Sequence, residues 1–310
     1  TGPDAQGPYE MHITAEECSG ACCDAEAGAC TEDSREADCD GANEEWSAGS
    51  QCCELDCGSD GATFSASGVT LLANVPMADF PDAQMGANEN WGYVSPSGGE
   101  YAIIGLQKGT AFVDINDPIN PVVIGYIDGF VETTWRDMAT FGQHAYLVAD
   151  ASFVGLQIVD LTNIDSGVVT LVNTTSLGVG FREAHNLYVN PDSGFLYLAI
   201  PDLNDGLGLT VIDLNTDPVN PTVAGTWTDN DLGVRCHDVH VTSYTTGPNA
   251  GKEIAFCASE HDGLTIVDVT NKGSMFTISN LVYPNTTYTH QTRLSEDGRF
   301  LFLGDELDEL

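Results

Sequence analysis

Three histidines occupy matching places in this chain: His185 in AHNLYV, His237 in CHDVHV and His290 in THQTRL. Each opens a short run that alternates in the manner of a strand. The run that follows ends in a carboxylate each time, giving Asp202, Glu260 and Asp305 or Glu306, with Asp150 in an earlier unit. If the two runs are antiparallel neighbours, the start of one lies beside the end of the other, so each imidazole would meet an acid. Arg136-Asp137 and Trp91 take the corresponding places in the two units before them. Imidazoles converging on one axis could hold a transition metal, with the carboxylates behind them orienting the rings. The competing reading is structural. A histidine–carboxylate bond repeated in every unit locks hairpins, since buried polar atoms must be paired, whereas a catalytic group is usually needed once. Repetition favours the structural reading. His240 alternates with Val239 and Val241 and is expected on the other face of its strand; His261, in SEHDG, is expected in a turn.

The elements that would position these residues announce themselves by a repeat. Gly109 precedes Asp114 in GTAFVD, Gly155 precedes Asp160 in GLQIVD, Gly208 precedes Asp213 in GLTVID, and Gly263 precedes Asp268 in GLTIVD. The apolar stretch between them, rich in β-branched residues, reads as a buried strand. The glycine is expected to supply the positive φ of a hairpin turn, and the aspartate to accept backbone N–H groups in the turn that follows. The aspartates fall 46, 53 and 55 residues apart, a period that belongs to the blades of a β-propeller. Four units show the order of a four-stranded antiparallel blade, and such sheets must stack to bury both faces. The expected fold is therefore all-β: four complete blades, a partial fifth from His290 onward, and a small disulfide-rich domain ahead of them. SGVTLLANV, at 67–75, is expected to supply the outer strand that closes the ring. The shown sequence is expected to be cut short of a larger ring at its C-terminal end.

Composition narrows the function. Acidic residues number 47 against 9 basic ones, a formal net charge of −38. A phosphate backbone would be repelled, which excludes ordinary nucleic-acid binding. Such a surface suits salty water, and its oxygens would take calcium before other cations; GDELDEL and IPDLNDG are the clusters that fit best. No apolar stretch is long enough to span a membrane. The chain opens on Thr1 without a signal pattern, so a targeting segment is expected to have been removed. There is no nucleophile elbow, no metalloprotease helix, no phosphate-binding loop and no dinucleotide fingerprint. Paired acids such as Asp305-Glu306 and Asp308-Glu309 could suggest glycosidase carboxylates, but among so many acids such pairs arise by chance.

Residues 1–66 form a separate acidic module. They hold eight of the ten cysteines, namely Cys18, Cys22, Cys23, Cys30, Cys39, Cys52, Cys53 and Cys57, with sixteen acids and a single base, Arg35. With so little apolar content this stretch needs cross-links, and disulfides are the expected ones. Eight cysteines allow 105 pairings, so none is assigned. Zinc fits less well, because doubled cysteines depart from the usual knuckle spacing and His12 is the only nearby imidazole. Cys236 and Cys257 are expected to bridge the first two strands of the fourth blade. Cysteine usage of this kind points to an oxidising, extracellular or cell-surface location. Asn173 and Asn285 begin N-glycosylation sequons.

The cores FVDINDPINPVVIG, LQIVDLTN, LTVIDLNTDPVNPTVAG and LTIVDVTN resemble the LVIVD repeat of secreted bacterial propellers. The longer segments NENWGYV, REAHNLYVNPDSGFLYLA, CHDVHV with GKEIAFCASEHDGLTIVDV, and YTHQTRLSEDGRFLFLGDELDEL resemble the choice-of-anchor B surface proteins. The resemblance covers residues 67–310 and implies a secreted or surface-anchored propeller without an established reaction. GACCDAEAGAC and the cysteines after it are similar to small cysteine-rich repeats of surface proteins from aquatic bacteria. The expected function is a non-enzymatic extracellular scaffold binding a protein or glycan, or further copies of itself in an array or filament. A metal-dependent enzyme with a histidine-lined channel, and a calcium-dependent adhesin, are the alternatives.

Overall fold

The computed structural model describes residues 71–307 apart from Ala83, Ser152, Phe153 and Asn230, together with the backbone of three strands nearer the N-terminus. The chain divides into two compact units, Thr1–Asn74 and Val75–Leu310. In the first unit, β1 (Gly20–Asp24), β2 (Ala29–Ser34) and β3 (Glu44–Ala48) form an antiparallel sheet in the order β2-β1-β3. The disulfides expected among Cys18, Cys22, Cys23, Cys30, Cys39, Cys52, Cys53 and Cys57 fall on side chains outside the described residues.

The second unit is a run of four-stranded antiparallel meanders. Blade I holds β4 (Ala87–Val94), β5 (Glu100–Leu106), β6 (Gly109–Asp114) and β7 (Val122–Asp128). Blade II holds β8 (Arg136–Phe141), β9 (His144–Ala149), β10 (Leu156–Asp160) and β11 (Thr170–Thr175). Blade III holds β12 (Ala184–Asn190), β13 (Phe195–Pro201), β14 (Leu209–Asp213) and β15 (Thr222–Trp227). Blade IV holds β16 (Asp238–Ser243), β17 (Glu253–Ala258), β18 (Leu264–Asp268) and β19 (Phe276–Leu281). A two-stranded sheet, β20 (Thr289–Leu294) with β21 (Leu301–Asp305), follows. The first strands of consecutive blades pack side by side.

The core lies between blades, because each sheet has two apolar faces and no helix to cover them. Met138, Leu147 and Val159 of blade II meet Ile103 and Phe112 of blade I. Tyr146 and Ile158 of the same blade meet Leu187, Leu196 and Ile212 of blade III. Blades III and IV enclose Trp227, Val211, Val239 and Val267. The third strands are buried along nearly their whole length, whereas β11, an outer strand, alternates exposed and half-buried residues. A bulge recurs at one place in all four blades, between the middle of the third strand and the fourth: at Phe112/Val113, Ile158/Val159, Val211/Ile212 and Ile266/Val267. Repeated bulges add twist where the outer strand must bend away.

The repeat residues do their expected work in part. Asp114, Asp160, Asp213 and Asp268 each accept the backbone N–H two residues on, at 2.9, 2.8, 2.8 and 3.1 Å. The glycines need correction. Gly155, Gly208 and Gly263 have φ of 72°, 63° and 75°, but Gly109 does not have a positive φ. Only in blade I does a tight turn join the second and third strands; in the others a longer loop does. What the four glycines share is the neighbour a Cβ would strike, a carbonyl oxygen at the end of the fourth strand: Ile127, Thr175, Trp227 or Leu281, at 2.3, 2.8, 1.8 and 2.3 Å. Close backbone approach, not turn geometry, is the common requirement.

Of SGVTLLANV, residues 67–70 lie outside the described residues and 71–75 form no strand. Val75 and Met77 instead pack with Phe80 on the face of blade I that presents Leu106, Ala111 and Val113. That apolar face has no preceding blade in the described chain to cover it. Cys236 and Cys257 are disulfide-bonded, with Cα atoms 5.1 Å apart. Cys236 lies just ahead of β16 rather than in it, so the bond ties the entering chain to β17.

Candidate functional site: a row of imidazoles and its carboxylates

His185, His237 and His290 come from consecutive blades and lie in a row. The ring centroids of His185 and His237 are 4.4 Å apart, and those of His237 and His290 4.6 Å. Each occupies the same register, at or just before the start of its first strand, which is why side-by-side packing of those strands brings the rings together. Trp135 stands 6.1 Å from His185 at one end, and Tyr288 lies edge-on to His237 at 5.3 Å and 6.4 Å from His290 at the other.

Of the carboxylates expected to pair blade by blade, only Glu306 meets the histidine of its own unit. Asp150 of blade II reaches forward to His185 of blade III, with Nδ1 to Oδ2 at 2.9 Å. This contact holds Asp150 below the usual carboxylate range. Glu306 approaches His290 of its own hairpin at 3.7 Å. Asp202 is taken by Arg182, whose Nε and backbone N–H lie 2.9 and 3.1 Å from its oxygens. Glu260 sits 3.6 Å from Arg235 and beside Tyr288. Burial and this negative neighbour push the Tyr288 phenol up to about 12. Asp305 accepts bonds from the backbone of Thr287 and Tyr288 and from the Tyr283 hydroxyl, at 2.9, 2.7 and 2.6 Å. It therefore fastens the turn ahead of β20, and these donors hold it ionised far below the usual range. The reason for the mismatch is geometric. Each of these second strands also packs against the next blade's first strand, β9 against β12 and β17 against β20, so a side chain at its end can reach either way.

Arg136 and Trp91 also depart from expectation. The Arg136 guanidinium is buried and turns away from the row to the carbonyls of Leu106, Gln107 and Val131. Trp91 lies further along its strand and donates its indole N–H to Thr140 of blade II at 3.0 Å. Ala87 opens β4 in the place expected for Trp91. His240 packs edge-on to Tyr188, 5.0 Å away, apart from the row. His261 is in its turn, bonded to the Thr287 carbonyl and edge-on to Tyr288.

The residue after each member of the row carries a role that reading for histidines overlooks. Asn88 of blade I donates to the Arg136 carbonyl at 3.0 Å, and Asn186 of blade III does the same to the His237 carbonyl at 3.0 Å. Asp137 accepts from the Leu187 N–H at 2.6 Å, and Asp238 from the Thr292 N–H at 3.3 Å. Asn, Asp, Asn and Asp thus form a belt joining each first strand to the next. Burial raises the carboxyls of both Asp137 and Asp238. The signal was present as the dipeptides RD, HN and HD.

His237 is the most enclosed of the row, 4% exposed. Its Nδ1 lies 3.0 Å from the His290 carbonyl oxygen. A carbonyl can only accept, so Nδ1 carries the proton and Nε2 the lone pair. Burial, and then the neighbouring His185, lower its pKa to about 4, so at neutral pH the ring is uncharged. As they stand, no three His, Cys, Asp or Glu side chains among the described residues converge on one ion.

The two sequons differ. Asn173 lies in β11 and its amide nitrogen donates to the Val219 carbonyl of blade III at 2.6 Å, a bond that a glycan on that nitrogen would disturb. Asn285 is exposed on a turn with φ 65°.

These meanders, with first strands inside and cores between sheets, define a β-propeller. Within it, the LVIVD repeat family model matches residues 254–285, which run from β17 to just past β19. Among solved structures the chain is similar to the periplasmic gluconolactonase PpgL of Pseudomonas aeruginosa, with a TM-score of 0.47 and 13% identity over 69% of this chain and 62% of that one. It is also similar to Sqt1 of Saccharomyces cerevisiae, with a TM-score of 0.46 and 12% identity over 69% and 57%. The fission yeast SREBP–SCAP binding domains give 0.42 and 10% over 71% and 67%. No curated protein matches the chain. Among the described residues, no helix is long and apolar enough to cross a membrane.

Proposed function

We propose that this propeller is an extracellular, non-enzymatic scaffold of the choice-of-anchor B kind, binding a protein or glycan at a cell surface or in a matrix. The N-terminal cysteine-rich module would act as a connector to neighbours, including further copies of the chain. The observation that carries the reading is the use made of the repeated polar residues. Asn88, Asp137, Asn186 and Asp238 join blade to blade, and Asp202 and Asp305 bind an arginine and a turn. Side chains committed in this way stiffen a frame, and a rigid frame presenting variable loops is the usual basis of recognition. The disulfide at Cys236 and Cys257 and the charge of −38 suit an oxidising, saline exterior. Calcium is the cation such a surface would recruit.

The test joins two measurements on the purified full chain: sedimentation over a concentration series with and without calcium, and co-sedimentation with isolated cell envelopes. Concentration-dependent assembly, or saturable envelope binding that survives His237→Ala, is the expected result. Monomers that ignore envelopes, together with a substrate turnover abolished by His237→Ala, would overturn it.

A further inference from the structure

We infer that the imidazole row is a binding site for a borderline transition-metal ion of tetragonal preference such as Cu(II) or Ni(II), centred on Nε2 of His237 and Nε2 of His185. This goes beyond the scaffold reading, which stands whichever way the inference falls.

The first argument is the tautomer. The His290 carbonyl holds the proton of His237 on Nδ1, and the Asp150 carboxylate, 2.9 Å from Nδ1 of His185, selects the same tautomer there. Both rings are left with the lone pair on Nε2. A metal-binding histidine is commonly held in this way, its second nitrogen donating to a carbonyl or carboxylate that fixes the ring and raises its basicity. The second argument is that these nitrogens have no other task. The hydrogen bonds of His237 and His185 all run through Nδ1, and His237 is 4% exposed. With Nδ1 committed to the protein, Nε2 is the atom each ring has left to offer a ligand.

The third argument is spacing. A metal–nitrogen bond of about 2.0–2.1 Å places an imidazole centroid about 3.2 Å from the ion, so two neighbouring ligands at the right angle of a tetragonal Cu(II) or Ni(II) site have centroids about 4.5 Å apart. The observed separations are 4.4 and 4.6 Å. His290 is the third candidate, and it would join by turning its ring away from Glu306, 3.7 Å distant. Water would complete the set where it does not. Imidazole donors favour copper, nickel and zinc over calcium and magnesium, which separates this site from the carboxylates elsewhere on the surface.

The test is titration of chelator-treated full-length protein with Cu(II) alone, in excess calcium so that surface carboxylates are already occupied. Electron paramagnetic resonance would count the nitrogens bound. One ion per chain with splitting from at least two nitrogens is expected. His237→Ala and His185→Ala should each weaken binding tenfold or more, with the circular dichroism of the propeller retained. Should His237→Ala fail to fold, His185→Gln, at the more exposed position, carries the test. Absence of a saturable site, or a nitrogen signal unchanged in both variants, would overturn the inference.

Discussion

A single imidazole outside the row shows what burial does to a titrating group here. His240 is 8% exposed, with Nδ1 buried and unbonded and its ring edge-on to Tyr188 of β12. Burial, and secondarily the positive charge of Arg293 from β20, lower its pKa to about 4. An unfolded histidine titrates near 6.5, so the unfolded chain takes up this proton first as pH falls. The stability gained from keeping the ring neutral is complete above about pH 6.5 and is lost between there and about pH 4. The shift corresponds to about 2 kcal/mol lost between pH 7 and pH 5. His240→Phe keeps the aromatic contact and has no proton to take up. Urea midpoints measured at both pH values should therefore fall less in His240→Phe than in the parent, by about that amount. Equal falls would mean that the ring is hydrated and titrates normally.

Between elements, the bonds that matter are those with both partners enclosed. Lys272, after β18, meets Glu253 of β17 at 2.6 Å, with 9% and 8% of the two side chains exposed. Glu253 also accepts from Asn190 of β12 and Tyr197 of β13, at 2.7 and 2.6 Å, so blades III and IV are fastened by one carboxylate. These donors hold it below the usual carboxylate range although burial acts in the other direction. Lys272→Met leaves that charge enclosed without its counterion, which typically costs about 3–5 kcal/mol. Lys252 pairs with Asp268 at 3.2 Å but is 43% exposed, so Lys252→Met should cost no more than about 1 kcal/mol. Thermal unfolding of the two variants side by side checks the contrast, and equal losses would refute it. The same distinction explains what could be read in the sequence. The turn aspartates were legible because each bonds to backbone two residues away. The register of His185, His237 and His290 was legible because the first strands repeat. Glu306 was legible beside His290 because both belong to one hairpin. The partner of His185 was not, because Asp150 reaches it across a blade boundary, and the angle between blades comes from sheet packing rather than from any local pattern. Gly109 was misread for a related reason. Its constraint is the Ile127 carbonyl on the adjoining outer strand, distant in sequence, which a turn-based reading does not include.

For the molecule as a whole, charge is the dominant long-range term. A formal charge of −38 on 310 residues means that folding draws like charges together, and self-repulsion opposes the compact state. Part of this is relieved locally, since Asp114, Asp160, Asp213 and Asp268 lie against backbone N–H groups rather than bare solvent. The remainder can be relieved only by ions. Screening shortens from about 10 Å at 0.1 M salt to about 3 Å at 1 M. Acids several residues apart on a blade edge therefore stop repelling one another in brine. The melting temperature should accordingly climb steadily as sodium chloride is raised over that range, and His240→Phe and Lys272→Met should climb in parallel with the parent. Calcium chloride at matched ionic strength separates diffuse screening from discrete sites. If the charge acts diffusely, the two salts give similar curves. If clustered carboxylates hold calcium, the rise comes at millimolar calcium, where sodium at the same ionic strength has little effect, and saturates. A melting temperature indifferent to both salts would show that the acidic surface places no strain on the fold, and the argument from repulsion would fail.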